Sequence, residues 1–255
     1  YFFEKLDNSK GSDHSYFNEW EQLASTINYD VELPFSNTYV AQQLHNNIPH
    51  DSIMNFAILN SLRSWSYFPL AAGIQGYANV AAFGIDGCNS MLFGESMNTD
   101  KLCFIVTGDL AFFYDMNVLG IRHLKNNIRV LLINNGGGAE FKIMTGAWKE
   151  NPHVERYISA NGHYGSTKGW AENCGFKYLT VSNKDEFTEV SSQFLDYSEQ
   201  PVVLEVFTKE DDDALAVKTL IEANRHFSDS DKMKKILTNV IGEKGVKMIR
   251  SIIGK

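Results

Sequence analysis

The chain has 255 residues, 44% of them hydrophobic, enough for one sizeable core with appendages. A net charge of −8 argues against nucleic acid or an anionic membrane as the main partner, and no apolar run approaches the roughly 18 residues of a membrane helix. Cys88, Cys103 and Cys174 are odd in number and lack CxxC spacing, which fits a reduced, cytoplasmic setting.

Tyr1 is not an initiator methionine and no charged-then-apolar leader follows it, so the sequence reads as a piece of a longer chain. Residues 1–30 are polar and aromatic. Phe17, Trp20, Glu21, Leu23 and Ala24 predict one amphipathic helix there. Pro34-Phe35-Ser36-Asn37 is a helix start, with Tyr39, Val40 and Leu44 on one face. Ile53 to Leu59 predicts the first strand, ending at Asn60-Ser61. A short strand is expected near Tyr77 to Val80, then a helix opened by Gly84–Gly87 and reaching Met97. Leu102 to Thr107 predicts a strand. Phe112 to Lys125 predicts a helix with Phe112, Met116, Leu119 and His123 at helical spacing. Val130 to Ile133 is the next strand, and residues 151–168 read as a loop.

Trp170 to Cys174 predicts a short helix stopped by Gly175, and Tyr178 to Val181 a strand. Ser182 or Asn183 caps a helix whose apolar face is Phe187, Val190, Phe194 and Leu195. Pro201 to Phe207 is a last strand. Asp211-Asp212-Asp213 then forms a solvated acidic helix start, and Lys232 to Lys255 a basic amphipathic helix interrupted at Gly242 and Gly245. Strands alternating with helices predict an α/β fold: a doubly wound, mainly parallel sheet with helices on both faces.

Two strand ends carry the chemistry. Each apolar run stops abruptly in small and oxygen-bearing residues: Thr107-Gly108-Asp109-Leu110-Ala111 and Asn134-Asn135-Gly136-Gly137. In open α/β sheets ligands sit just past such carboxyl ends. A carboxylate, an amide oxygen and bare glycine carbonyls are the hard ligands that Mg²⁺ takes, usually with substrate phosphates. Either dipeptide alone would read as a strand-ending loop. There is no G-x-G-x-x-G, no G-x-x-x-x-G-K-[ST] and no Cys/His zinc set.

Gly108-Asp109-Leu110 followed by Asn134-Asn135-Gly136-Gly137 resembles the diphosphate-anchoring motif of thiamine diphosphate enzymes. Gly84-Ile85-Asp86-Gly87 and Gly108 to Asn117 are similar to the SEPHCHC synthases of the menaquinone pathway, as is Asn60-Ser61-Leu62. The likeness covers roughly Asn60 to Phe207. It implies thiamine diphosphate and Mg²⁺ as cofactors, with Asp109, Asn135 and Gly137 as metal ligands. Asn60, Ser61, Gly84, Ile85, Asp86, Gly108, Leu110, Ala111, Asn134, Gly136 and Phe141 become cofactor-binding positions. In that scheme Ile85 presses under the cofactor and bends it, and the backbone N–H groups of Leu110 and Ala111 meet phosphate oxygens. Residues 51–210 would be the cofactor-binding domain, 1–50 a remnant of a central domain or linker, and 211–255 a helical extension.

The resemblance implies no catalytic residue in this chain. The activating glutamate would come from a pyrimidine-binding domain outside it, and the enzyme would be a homo-oligomer through that domain. The expected substrates are a 2-oxo acid donor and a small-molecule acceptor, in a decarboxylase or carboligase. Where the synthases carry one arginine shortly after the Asn-Ser pair and another ahead of Gly-Ile-Asp-Gly, this chain has Trp65 and Val80. Arg63 is the nearest substitute for the first. Glu140 adds a negative charge where the synthases are apolar, and Asn161-Gly162-His163-Tyr164 is similar to a family Asn-x-His-aromatic stretch. Arg63, Glu140 and His163 are therefore the substrate candidates, with fewer substrate carboxylates than the synthase handles. A menaquinone-pathway synthase proper and a non-catalytic cofactor- or partner-binding module are the alternatives.

Overall fold

A computed structural model describes residues 15–80, 84–143, 153, 157, 163 and 165–225. Among them one six-stranded sheet holds β1 (Ile53–Phe56), β2 (Gln75–Ala78), β3 (Cys103–Gly108), β4 (Ile128–Asn134), β5 (Lys177–Val181) and β6 (Val202–Phe207). The order is β2-β1-β3-β4-β6-β5, and every neighbouring pair is parallel. Every residue of β1 and β4 is buried, whereas edge strand β2 is exposed over Gln75, Gly76 and Tyr77. Inner strands of a doubly wound sheet are covered on both faces, so they read as continuous apolar runs.

Side-chain alternation sends neighbouring residues to opposite layers. Phe104, Val106, Leu131, Ile133, Leu204 and Val206 join one core. Cys103, Ile105, Val130, Leu132 and Val203 join the other. The first layer is covered by α2 (Asn37–Leu44), α3 (Asn60–Ser66), α8 (Lys184–Leu195) and α9 (Glu210–Ala223), through Val40, Trp65, Phe187 and Leu220. The second is covered by α4 (Cys88–Ser96), α5 (Asp109–Tyr114), a 3₁₀ turn (Met116–Gly120) and α7 (Lys168–Asn173), through Leu92, Phe112, Leu119 and Ala171. Each fully buried aliphatic or Phe side chain contributes about 1.5–3 kcal/mol.

Tyr29–Leu220 form one compact unit. Residues 29–50, set apart in the sequence reading, thus supply α2 to its core. Ser36 caps α2 by accepting from the Tyr39 N–H at 3.1 Å, and Gln42 Nε2 ties the entering chain at the carbonyls of Tyr29 and Val31, 2.8 Å each. Asn183 caps α8 in the same way, accepting from Glu186 N–H at 2.9 Å. A second unit comprises Tyr1–Asn28 and Ile221–Lys255. Its described part holds the expected amphipathic helix, α1 (Ser15–Ser25), and a pair of hydrogen bonds between Asn28 and Asn224. The expected basic helix over 232–255 lies outside the described residues, as does most of the loop expected over 151–168. Among the described residues no helix is long and apolar enough to cross a membrane.

Four local expectations differ. The first strand stops at Phe56, not Leu59, because Leu59 takes a positive φ of 68° and turns the chain directly into α3. The second strand is Gln75–Ala78, two residues earlier than expected. The helix expected from Gly84 starts at Cys88, because Gly87 stands at φ 71° and a right-handed helix cannot run through it. The helix expected over Phe112–Lys125 breaks into α5 and the 3₁₀ turn. Asp115 lies at the break, and its carboxylate accepts the Ser90 N–H (2.7 Å) and hydroxyl (2.6 Å), holding it to α4 instead.

Candidate functional site

Strand order reverses about β1, with β2 on one side and β3 on the other. The crevice past the carboxyl ends of β1 and β3 is where such sheets take ligands. On this edge lie Asn60, Ser61 and Arg63 in α3 after β1, and Gly84, Ile85 and Asp86 after β2. Gly108, Asp109, Leu110 and Ala111 follow on β3, and the stretch from Asn134 to Phe141 on β4. Gly108 pairs with Ile133, so Asp109 leaves β3 level with Asn134. Ile85 packs on buried Ala57, Cys88 and Ala111, joining the loops after β1, β2 and β3 into one apolar floor. Ser61 is buried, Phe141 half-buried and Asp86 exposed. A groove of about 390 Å³ lined by Gln43, Asn47, Phe187 and Ser191 lies between α2 and α8 and contains none of these residues.

Asp109 is 2% exposed. Its Oδ1 accepts the Leu110 N–H at 2.7 Å, and its Oδ2 accepts the Gly136 N–H at 2.8 Å and His163 Nε2 at 3.0 Å. The Gly165 N–H donates to His163 Nδ1 at 3.1 Å, which places the ring proton of neutral His163 on Nε2, facing Asp109. Burial pushes the Asp109 carboxyl above its ordinary range, against the pull of the Leu110 N–H, His163 and the Gly136 N–H. The Leu110 N–H, expected with that of Ala111 to meet phosphate oxygens, donates here to this carboxylate. His163, expected to meet substrate, stands on Asp109 and edge-on to Phe113 at 5.3 Å.

The two asparagines at the end of β4 are held by two different acids. Asn134 Nδ2 donates to Glu205 Oε1 and to the Gly165 carbonyl, 2.8 Å each. Glu205, fully buried in β6, also accepts from the Ser166 hydroxyl and the Tyr178 phenol, 2.7 Å each. Asn135 Nδ2 donates to Asp213 Oδ2 at 2.8 Å. Asp213 further accepts the Asn37 N–H at 2.7 Å and the Thr208 hydroxyl at 2.9 Å. Burial pushes its carboxyl up to about 6, opposed by the donation from Asn135, Asn37 and Thr208, with repulsion from Asp109 added. The acidic run is therefore not wholly solvated: Asp213 is 4% exposed and faces the site. Its partner Asn37 also donates from Nδ2 to the Asn60 carbonyl at 3.2 Å.

Arg63 and Glu140, in α3 and in α6 (Glu140–Ile143), meet through both oxygens of the carboxylate. Nη2 donates to Oε1 at 2.8 Å and Nη1 to Oε2, while Nη1 also donates to Asn60 Oδ1 at 2.9 Å. The bond to Glu140 holds the guanidinium above its ordinary range despite partial burial. The pair joins the segments after β1 and β4, the two neighbours of β3.

Among the described residues both lone pairs of Asp109 Oδ2 are engaged, whereas Oδ1 accepts one bond and keeps one lone pair. Asn135 Oδ1 accepts, among the described residues, only a long 3.3 Å bond from the Gly137 N–H. Among the described residues no donor meets the Gly137 carbonyl. These three oxygens suit a hard cation. No group of three or more His, Cys, Asp or Glu could hold a metal among the described residues, so such an ion would rest on a single carboxylate and neutral oxygens.

The model of the thiamine pyrophosphate enzyme C-terminal TPP binding domain matches residues 52–206. The chain belongs to this family. It is similar to the 2-succinyl-5-enolpyruvyl-6-hydroxy-3-cyclohexene-1-carboxylate synthase of Bacteroides thetaiotaomicron, 35% identical over 201 residues, 78% of this chain and 36% of that protein. It is also similar to the synthases of the same name from Bacteroides fragilis (34% over 205 residues, 80% and 36%) and Christiangramia forsetii (31% over 180 residues, 71% and 31%). The chain spans about a third of the length of the curated relatives it matches.

Within the thiamine pyrophosphate family frame, the edge residues singled out by motif do lie together. Sequence reasoning missed Glu205, Asp213 and Asn37. Two of these left a signal. Glu205 is the one charge inside the apolar run Val202–Phe207, and a charge there is buried and paired. Asp213 shares a helical stripe with Ala216, Val217 and Leu220, all buried. Asn37 left none.

Proposed function

We propose that this chain is the diphosphate- and Mg²⁺-binding part of a thiamine diphosphate-dependent 2-oxo acid decarboxylase or carboligase whose substrates carry fewer carboxylates than those of the SEPHCHC synthases. When bound, the cofactor supplies the electron sink that lets a 2-oxo acid lose carbon dioxide. The residues of this chain bind and orient it. Asp109, Asn135 and Gly137 would hold Mg²⁺, which neutralises the diphosphate. Ile85, seated on Ala57, Cys88 and Ala111, would offer the cofactor apolar support. The activating glutamate lies in a pyrimidine-binding domain outside these residues and reaches the site in a homo-oligomer. On this reading the 255 residues alone release no carbon dioxide from a 2-oxo acid.

The Arg63–Glu140 pair carries the substrate reading. Arginine recognises a carboxylate through two parallel N–H groups. Here both terminal nitrogens of Arg63 are engaged by Glu140, so the guanidinium is already neutralised. Trp65 is 2% exposed and part of the core, and Val80 offers no charge. A substrate carboxylate brought beside this closed Arg63–Glu140 pair would itself be left without a partner, at a cost of several kcal/mol. A small 2-oxo acid such as pyruvate, with a hydroxylated or amine-bearing acceptor, suits the site better.

The identity of 34–35% with synthases of one name favours a second reading, a menaquinone-pathway synthase proper. One assay separates the two. The full-length protein is given 2-oxoglutarate with isochorismate and, separately, pyruvate with uncharged or amine-bearing acceptors. Turnover of the pyruvate pairs supports the first reading. Efficient turnover of 2-oxoglutarate with isochorismate overturns it and establishes the second.

A further inference from the structure

Asparagine is a two-faced ligand: its amide presents oxygen on one side and nitrogen on the other, and only the oxygen can meet a cation. At Asn135 the choice is made from outside the loop. An ionised carboxylate only accepts hydrogen bonds, so the amide nitrogen must be the atom turned to Asp213, and Nδ2 stands 2.8 Å from Oδ2. Asp213 is itself fixed, by the Asn37 N–H on Oδ1 and the Thr208 hydroxyl on Oδ2. Its helix is anchored by buried Ala216, Val217 and Leu220 on the same face.

We propose that Asp213 is a positioning residue of the cation site: it holds the Asn135 amide so that Oδ1, not Nδ2, is presented to the ion. This rests on the reading of Asp109, Asn135 and Gly137 as an Mg²⁺ site. Asp213 lies beyond residues 52–206, the span that matches the family model. Partners that orient a metal ligand typically change metal affinity by about 10- to 100-fold when replaced.

The test is Mg²⁺ affinity of the full-length protein with thiamine diphosphate present, measured by calorimetry for four forms: wild type, Asp213→Asn, Asn135→Asp, and the double variant. Asp213→Asn should weaken Mg²⁺ binding about tenfold or more, because the fixed Asn37 N–H claims the one remaining oxygen and the new NH₂ group is turned to Asn135, whose Nδ2 it cannot accept. In the Asn135→Asp background both side-chain oxygens are equivalent ligands, so no orienting partner is needed. There Asp213→Asn should leave affinity unchanged or improve it, since it also removes a like charge. A merely structural Asp213 would give the same loss in both backgrounds, and that result overturns the proposal. If Asp213→Asn alone does not fold, the comparison of Asn135→Asp with the double variant decides: a tenfold loss in the double variant defeats the idea. Unchanged affinity in a folded Asp213→Asn defeats it while leaving the Mg²⁺ site intact. A wild type indifferent to Mg²⁺ removes the site and this inference together.

Discussion

Arg63 and Glu140 stand far apart in the chain, yet both carboxylate oxygens of Glu140 meet the guanidinium, and their helices follow the two strands that flank β3. Neither residue faces the crevice as a free charge. Replacing Glu140 by Gln should release Arg63 for a substrate carboxylate. The ratio of kcat/KM for 2-oxoglutarate over pyruvate should then rise about tenfold in the full-length enzyme, the difference between a charge-assisted and an absent contact. A double-mutant cycle with Arg63→Met, read by denaturant melts, should give a coupling of about 1 kcal/mol, since the Arg63 side chain is 33% exposed. An unchanged substrate ratio with a vanishing coupling would show that the pair has no bearing on specificity.

Position 65 tests the same account from the other side. Trp65 is buried against Phe56, ring centroids 5.7 Å apart, and its indole N–H has no partner among the described residues. Trp65→Arg should not create a carboxylate site. It should bury an unpaired guanidinium and destabilise the protein by about 3 kcal/mol or more. Trp65→Phe removes only an unsatisfied donor and some volume, and should cost clearly less. The thermal melts of the two variants check the order. A stable Trp65→Arg protein with improved 2-oxoglutarate binding would mean that this side chain belongs to the pocket.

Gly136 and Gly87 separate backbone strain from crowding. Both have positive φ, 84° and 71°. A Cβ at Gly136 would lie 3.3 Å from the His163 carbonyl, whereas one at Gly87 meets nothing within 4 Å. Gly87→Ala should cost about 1 kcal/mol from φ alone. Gly136→Ala should cost more, roughly 2 kcal/mol, because the His163 segment must also give way. Equal losses in urea denaturation would show that the segment yields freely.

Much of the site was legible because strand ends are abrupt. The run Val130 to Ile133 stops at Asn134-Asn135, and Leu102 to Val106 gives way to Thr107-Gly108-Asp109, so each marks a carboxyl end whatever the sheet order. The unreadable parts depend on that order. The Arg63–Glu140 contact exists only because β1 and β4 both neighbour β3. Asn135 meets Asp213 only because β6, which leads into α9, lies beside β4. The run Phe112 to Lys125 misled because its apolar spacing suits a helix equally well, while the break at Asp115 comes from its contact with Ser90 on another element. Leu59 misled for a similar reason: its apolar character extends the strand pattern, but its positive φ ends the strand.

The central claim is that Asp109 anchors the cofactor through a divalent cation. It is the sole carboxylate in the proposed ligand set, and among the described residues one lone pair of its Oδ1 is open. The most direct measurement is calorimetric titration of thiamine diphosphate into the full-length protein, with and without Mg²⁺, for wild type and Asp109→Ala. The account predicts tight binding that requires Mg²⁺ in the wild type and no Mg²⁺-dependent binding in Asp109→Ala. Equal affinity of the two proteins in the presence of Mg²⁺ would contradict it.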